Sequence, residues 1–154
     1  MVKWTPISTT LLKSINNEDV LGFKAPAEVL STASTVINAS APMEFSWGDI
    51  DITTQYYVYM YFAELQELKA NQSRSFNIYV NDKLWINERI SPVYLSELVA
   101  HSITPFTNND TYDCKLIMSE GSTLPPILNA IEIYKVMNFT QLTTEQDDGN
   151  IYDH

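Results

Sequence analysis

A strict period of two over residues 56–63 constrains the fold of this chain more than any other feature. One parity is mainly apolar and the other is all tyrosine: Tyr56, Val58, Met60 and Phe62 against Tyr57, Tyr59 and Tyr61. Because successive side chains of a β-strand point to opposite faces, this alternation predicts a strand with two different faces. The first set is expected to line a dry interior.

Further segments repeat this period, at residues 43–47, 76–80, 94–100, 112–118 and 127–136. A turn at 81–83 leading into 84–86 predicts a hairpin. Strands separated by polar turns, with little room for crossover helices, predict an all-β fold, a jelly-roll-like antiparallel β-sandwich with at most short helices. Its interior is expected to contain Val58, Met60, Phe62, Ile78, Val80, Ile131 and Ile133.

The chain ends are less regular than its centre. Residues 1–25 are poorly periodic, and residues 25–33 could form a short helix with Pro26 in an early position, where its missing N–H does no harm. Residues 139–154 are polar and acidic, without an apolar period, and are typical of a tail or linker. We therefore predict one domain over 1–138, followed by this tail.

The charge of the chain excludes several classes of partner. A formal net charge of −10 would repel phosphate backbones and anionic lipids, so neither nucleic acid nor a membrane surface is an expected partner. No run approaches the roughly 18 apolar residues of a membrane helix. The N-terminus lacks the apolar region of a signal peptide, so a secreted protein would be represented here by an excised piece or an incomplete gene product.

Catalytic and metal-binding motifs are sparse in this sequence. Cys114 is the only cysteine, which excludes an internal disulfide and a cysteine-rich zinc site and predicts a small buried side chain. His101 and His154 are the only histidines, and neither a nucleophile elbow, a phosphate-binding glycine loop nor a metal-ligand spacing is present. Trp47 shares its parity with Met43 and Phe45 and is expected in the core. No catalytic residue, cofactor or metal is predicted.

Carboxylate pairs are the one enzymatic possibility. Glycoside hydrolysis needs two acidic side chains across a sugar, and Glu64, Glu67 and Glu132 lie on or near predicted strands. Any acidic protein offers such pairs, so a carbohydrate-active enzyme is an alternative to the non-enzyme that we predict.

The tyrosine parity is the strongest candidate for a binding surface. Antiparallel sandwiches normally present polar residues outward, whereas a row of tyrosines offers flat rings with hydroxyl groups that suit sugars or peptide side chains. Loops covering this sheet would instead make the tyrosines part of the packing. The predicted ligand-binding residues are Tyr57, Tyr59, Tyr61, Tyr79, Glu132 and Tyr134.

Four Asn-x-Ser/Thr sequons favour a secreted protein. None has proline at its middle position, and all fall in predicted turns or at strand ends, where a glycan could extend into solvent. The glycosylation candidates are Asn38, Asn71, Asn109 and Asn138.

An ordered series of short strings over residues 4–136 resembles the malectin-like domains of plants. Each string is weak alone, but their order and spacing make the resemblance specific. They are Trp4-x-x-Ile7-Ser8-Thr9, Pro26-x-x-Val29-Leu30-x-Thr32-Ala33, Asn38-Ala39-Ser40-x-Pro42-Met43-x-Phe45-Ser46-Trp47, 56–65, 76–81 and 122–134.

This resemblance implies the second of two tandem malectin-like sandwiches in the ectodomain of a leucine-rich-repeat receptor-like kinase. The implied partners are the tandem malectin-like domain, the leucine-rich repeats of a parent receptor, and a cell-wall carbohydrate or a peptide ligand. The implied location is the extracellular face of the plasma membrane or the secreted fraction, and any kinase activity would belong to the parent chain. A structural module that packs within the ectodomain without its own ligand is the other alternative.

Overall fold

A computed structural model describes residues 3–11 and 24–138 of the chain. Within them lie ten strands and one short helix. The elements are β1 Trp4–Ser8, α1 Ala27–Leu30, β2 Thr32–Val36, β3 Met43–Gly48, β4 Tyr56–Phe62, β5 Phe76–Val80, β6 Lys83–Leu84, β7 Leu98–His101, β8 Thr111–Met118, β9 Ile127–Leu128 and β10 Ala130–Lys135. The predicted all-β class is confirmed. The predicted tail at 139–154 lies outside the described residues.

The strands form three antiparallel sheets with the orders β1-β2-β9, β10-β4-β7 and β3-β8-β5-β6. The first two are joined by one run of chain, because β9 pairs with β2 and β10 then pairs with β4. Together these two sheets make one layer of the sandwich, and the four-stranded sheet makes the other.

The interior between the layers is built from the predicted parities. Val58, Met60, Phe62 and Ile78 are fully buried, and Val80 is 6% exposed. The rings of Phe62 and Phe76 meet edge to face across the two layers, with centroids 5.3 Å apart. Trp47 and Cys114 are buried here as predicted. Burial also raises the pKa of the Cys114 thiol to about 12, which disfavours its reactive thiolate form.

Ile133 is a correction to the predicted interior. It is 38% exposed, whereas Ile131, two residues earlier, packs against the core. In the described part of the chain β10 pairs only with β4, so Ile133 lies at a sheet edge with no strand beyond it. The alternation along the strand predicted the direction of the Ile133 side chain. It does not reveal which strand lies at the edge of a sheet.

Several predicted element bounds are also corrected. The strand expected over 94–100 begins only at Leu98, because Leu95 has a φ of 51° and Ser96 donates back to the Val93 carbonyl, which together make a turn. In the hairpin after β5, only Lys83 and Leu84 form a strand. The helix expected over 25–33 is limited to Ala27–Leu30, and β1 and β2 occupy regions where no strand was predicted.

Asn129 divides the last predicted strand into β9 and β10. Its backbone N–H still donates to the Tyr61 carbonyl, at 3.0 Å. Its side chain accepts a hydrogen bond from the Ala63 N–H at 2.8 Å and donates one to the Leu30 carbonyl at 3.0 Å. One amide thus connects the end of β4, the end of α1 and the point where the chain changes sheet partners.

Candidate functional site

The outward face of the β10-β4-β7 sheet carries most of the predicted binding residues. The strand register places Glu132 opposite Tyr59, Tyr134 opposite Tyr57 and His101 on the other side of Tyr59. We call Tyr57, Tyr59, His101, Glu132 and Tyr134 the tyrosine face. Three adjacent strands position these side chains, so the surface rests on the regular part of the fold.

Three aromatic rings lie in a row across this face. Tyr59 stacks on the His101 ring, with centroids 5.8 Å apart and planes 15° apart. Tyr134 meets Tyr59 edge to face, at 5.6 Å and 83°. Tyr134 is 53% exposed. Because Tyr59 is held between two neighbours, the row is fixed in position, with the half-buried Tyr59 and His101 beside the exposed Tyr134.

A single carboxylate oxygen organises two tyrosine hydroxyls on this face. Glu132 Oε2 accepts a hydrogen bond from Tyr61 at 3.0 Å and another from Tyr134 at 2.9 Å. The hydrogen bond to Glu132 raises the pKa of Tyr134. Burial, followed by the hydrogen bond to Glu132, raises the pKa of Tyr61 well above its ordinary value of 10.0. Both phenols are therefore held as neutral donors, which fixes the carboxylate beside the ring row.

Tyr61 is a correction to the predicted exposed row. It has the outward parity of Tyr57 and Tyr59 but is only 2% exposed. Ala25, Leu30 and Leu95 pack with it in a second apolar cluster on the outer side of the sheet. The chain around α1 covers this end of the face. Tyr61 therefore holds Glu132 through its hydroxyl and does not join the exposed surface.

Tyr79 is the second correction to that surface. It lies on β5, opposite Leu84 on β6 and Lys115 on β8, in the other layer of the sandwich. Its parity is outward, as predicted, but its outward direction is the opposite side of the molecule. Tyr79 therefore cannot extend the surface formed by Tyr59 and Tyr134.

The carboxylates considered for glycoside hydrolysis are not brought together. Glu64 is buried, and its Oε2 lies 2.6 Å from Arg74 Nε, with both side chains 2% exposed. Glu132 is on the outer face, hydrogen-bonded to tyrosines. Glu67 is exposed in the loop after β4. Glu64 is thus one half of a structural ion pair, and its carboxylate is committed to Arg74 and to the Gln66 N–H.

His101 contributes a ring surface that the sequence did not reveal. The sequence showed it only as one of two histidines without a catalytic motif, whereas the structure stacks it on Tyr59. Its parity on β7 would have shown an outward direction, but nothing in the sequence indicated that β7 pairs with β4. The described residues contain no cluster of three or more histidine, cysteine or acidic side chains that could hold a metal ion.

A cleft at one end of the sandwich was also missed. Aromatic and apolar side chains of the β5–β6 hairpin and of the loop before β8 line it, among them Leu84, Trp85 and Phe106. Its volume is about 570 Å³, within the range of small-molecule sites. Trp85 and Phe106 form its aromatic wall, with ring centroids 5.6 Å apart. We call this the Trp85 cleft.

The four sequon asparagines are all exposed and lie at the two ends of the sandwich. Asn38 and Asn71 lie at the end where β4 finishes, in the connections β2–β3 and β4–β5. Asn109 and Asn138 lie at the opposite end, before β8 and after β10. No sequon lies on the tyrosine face.

Over residues 3–11 and 24–138, no helix has the length and apolar character needed to cross a membrane.

A model of the malectin-like domain matches residues 1–136. A probable leucine-rich-repeat receptor-like serine/threonine-protein kinase of Arabidopsis thaliana is 40% identical over 147 residues, which cover 95% of this chain and 16% of that protein. A receptor-like protein kinase of the same plant is 38% identical over 147 residues, again 95% of this chain and 16% of the relative. The chain thus spans only a small part of these relatives.

Solved structures agree with the fold. The extracellular domain of ANXUR1 from Arabidopsis thaliana superposes with a TM-score of 0.68 at 19% identity, over 87% of this chain and 39% of that one. A structure of the plant peptide RALF23 in complex with FER and LLG2 gives a TM-score of 0.62 at 20% identity, over 84% and 38%. At these identities the likeness establishes the sandwich architecture alone.

Proposed function

We propose, from the premise that this chain belongs to the malectin-like domain family, that it is a non-catalytic recognition module of a plant receptor-like kinase ectodomain. Its ligand is a cell-wall carbohydrate or a peptide, and the tyrosine face binds it. The kinases similar to it are several times longer than this chain, so their catalytic activity is assigned to parts outside it.

The ring row that ends in the exposed Tyr134, beside a fixed carboxylate, is the observation that carries this proposal. Tyr134 and Tyr59 offer an apolar surface on which a sugar ring or a peptide side chain can stack. Glu132, held by two phenols, offers an acceptor for a hydroxyl or an amide donor of the ligand. A small number of placed polar groups within an apolar surface is typical of recognition sites.

The predicted site residues take different roles in this proposal. Tyr57, Tyr59, Glu132 and Tyr134 contact the ligand, and Tyr61 acts as a positioning residue that orients Glu132. Tyr79 is left out, because it lies in the other layer. We propose an extracellular location for the module, on the basis of its relatives and its four exposed sequons.

A relative in a known complex bears on the choice of ligand. The plant peptide RALF23 occurs in a complex with FER and LLG2, and the fold of that complex's matching chain is similar to this one. A peptide is therefore as well supported as a carbohydrate. The partners within the parent receptor would be the leucine-rich repeats and a tandem malectin-like domain, with this chain as the second of the pair.

A binding screen on the secreted chain tests the proposal. Cell-wall oligosaccharides and secreted plant peptides are titrated while NMR shifts of the aromatic side chains are followed. Tyr134→Ala is expected to weaken binding by about tenfold, since one aromatic contact contributes roughly 0.5–1.5 kcal/mol beyond its area. Tyr79→Ala, the same change in the other layer, is the matched control and should bind normally.

Two results would contradict the proposal. Equal losses of binding affinity in Tyr134→Ala and Tyr79→Ala would show that the tyrosine face is not the binding site. If neither the oligosaccharides nor the peptides bound, the result would favour the alternative of a structural module that only packs within the ectodomain.

A further inference from the structure

The Trp85 cleft has a sequon asparagine on its rim. Asn109 lines the cleft together with Trp85 and Phe106, and its side chain is exposed. It begins the sequon Asn109-Asp110-Thr111. A glycan attached at Asn109 would therefore leave the protein beside an aromatic wall.

The backbone on both sides of Asn109 is firmly held. The Asn108 N–H donates to the Ile52 carbonyl at 2.8 Å, and the Asp110 carbonyl accepts from the Asp49 N–H at 2.9 Å. The N–H of Asn109 itself donates to the Tyr112 hydroxyl at 3.3 Å. Asn108 adopts a φ of 71°, which turns the chain back toward β8. Because these contacts fix the loop, the side chain of Asn109 starts from a defined position.

Phe106 lies three residues before Asn109, on the other side of this turn. Its N–H and carbonyl are both paired with Tyr56, at 2.8 and 3.0 Å, so its ring is anchored to the sheet. The ring also packs against Trp85. Phe106 and Asn109 thus lie in one short connection that leads into β8 at Thr111, with an aromatic ring and the glycan acceptor lining the same cleft.

The other three sequons lack this arrangement. The residues three positions before Asn38, Asn71 and Asn138 are Thr35, Leu68 and Lys135. None of them is aromatic. Among the four sequons this spacing occurs only at Asn109, which makes Asn71 a suitable comparison at the opposite end of the sandwich.

We propose that Asn109 carries an N-glycan whose first N-acetylglucosamine packs over Phe106 and Trp85, so that the Trp85 cleft is closed by the protein's own sugar. One side of this sugar ring presents C–H groups, and covering aromatic rings with it removes apolar surface from water. The acetamido group and the hydroxyls face the polar rim formed by Asn81 and Thr107. The inference rests on the proposed extracellular location, because the modification occurs in the secretory pathway.

The modification is an ordinary group transfer. The donor is a lipid-diphosphate oligosaccharide of the endoplasmic reticulum. A bond forms between Asn109 Nδ2 and the anomeric carbon of the sugar, while the bond between that carbon and the diphosphate oxygen breaks. The lipid diphosphate leaves, and Nδ2 loses one proton. The product is a neutral glycosylated amide.

The test uses the chain secreted from a cell line that makes only oligomannose glycans, through an added secretion signal. Mass spectrometry of glycopeptides measures the occupancy at each sequon. Thermal unfolding is then compared for the intact glycoprotein, for protein trimmed by endoglycosidase to one N-acetylglucosamine per site, and for Asn109→Gln and Asn71→Gln. The two asparagine variants leave every aromatic side chain unchanged, so both are expected to fold.

We expect high occupancy at Asn109 and an unchanged Tm after trimming, because the first sugar alone makes the contact. Asn109→Gln should lower Tm by about 2–4 °C, the effect of a modest packing contact in a domain of this size. Asn71→Gln should change Tm by less than about 1 °C. In a Trp85→Ala background, the effect of Asn109→Gln on Tm should be at least halved.

Each contrary result has a distinct meaning. Occupied sequons elsewhere with an empty Asn109 would overturn this inference and leave the extracellular proposal standing. Four empty sequons would overturn this inference and would also remove the sequons as support for the extracellular location. An occupied Asn109 whose loss affects Tm no more than the loss at Asn71 would overturn the packing of the sugar on the cleft.

Discussion

Among single residues, Tyr61 shows how burial changes the role of a side chain without changing its direction. Its outward parity is shared with Tyr57 and Tyr59, and the sequence predicted this correctly. Its burial depends on Ala25, Leu30 and Leu95, which are distant in the chain. Alternation reports which way a side chain points, whereas burial depends on what lies above it. The sequence could therefore place Tyr61 on the face but could not show that it is covered.

The stability of the protein should fall with rising pH above the ordinary pKa of tyrosine. The folded pKa of Tyr61 lies above its unfolded value of 10.0, so above that pH the folded state binds more protons than the unfolded state. Its contribution is fully present below pH 10 and is lost as the pH rises toward the folded pKa. The measurement is Tm from about pH 8 to about pH 11.

Tyr61→Phe provides the control for this pH dependence. It removes the ionisable group but keeps the ring in its apolar cluster. The decline of Tm at alkaline pH should be shallower in this variant. An identical decline in both proteins would show that Tyr61 does not cause it.

The buried pair of Glu64 and Arg74 should be sensitive to loss of one charge. Glu64→Gln keeps the shape but leaves the Arg74 guanidinium buried without its carboxylate. The expected loss is about 3–5 kcal/mol in the free energy of unfolding, measured by urea titration. Asp82→Asn breaks the exposed pair with Lys115, where the Asp82 side chain is 81% exposed, and should leave the urea midpoint unchanged. Equal effects of the two changes would contradict this view of Glu64.

At the scale of secondary-structure elements, the sequence predicted strands well where both faces were strongly marked. β4, β5 and β8 follow their predicted parities closely. β1 and β2 were missed because they contain proline, serine and threonine and few apolar residues, so their pairing is set by long-range partners. β7 was predicted too long because a turn at Leu95 depends on contacts with the Glu64 backbone.

The break at Asn129 gives an element-scale prediction. Asn129→Ala would leave the buried Ala63 N–H and the Leu30 carbonyl without their partners. The expected cost is at least about 2 kcal/mol in the free energy of unfolding, since an unpaired buried polar group costs roughly 1–3 kcal/mol. Hydrogen exchange at Ala63 should also become faster. Asn71→Ala, at an exposed position, should leave both measurements near the wild-type values.

At the scale of the whole molecule, the stability of the sandwich depends on the side chains that lie between its two layers, and two isoleucines show the contrast. Ile78 is fully buried, whereas Ile133 is 38% exposed at the edge of its sheet. Ile78→Ala should lower the free energy of unfolding by about 2–5 kcal/mol. The same change at Ile133 should lower it by less than about 1 kcal/mol. Comparable losses measured by urea unfolding would contradict the edge position of β10.

The assembly of the candidate site could be predicted only in part. Parity correctly grouped Tyr57, Tyr59, Glu132 and Tyr134, because β4 and β10 carry them on one side. It could not separate Tyr79, since direction relative to a sheet does not say which layer a strand belongs to. Nor could it bring together Trp85, Phe106 and Asn109, whose proximity comes from the packing of a hairpin against a loop.

The position of the sequons has a consequence for crowding. Oligosaccharides at the two ends of the sandwich would lengthen the molecule along its strands without widening it. The outer faces of the sheets would remain free of glycan. Such a shape would allow neighbouring protein molecules to pack side by side along their bare sheets. A partner that binds the sheet bearing Tyr134 would then have to approach perpendicular to the strands. The glycans at the two ends would limit the angles of that approach.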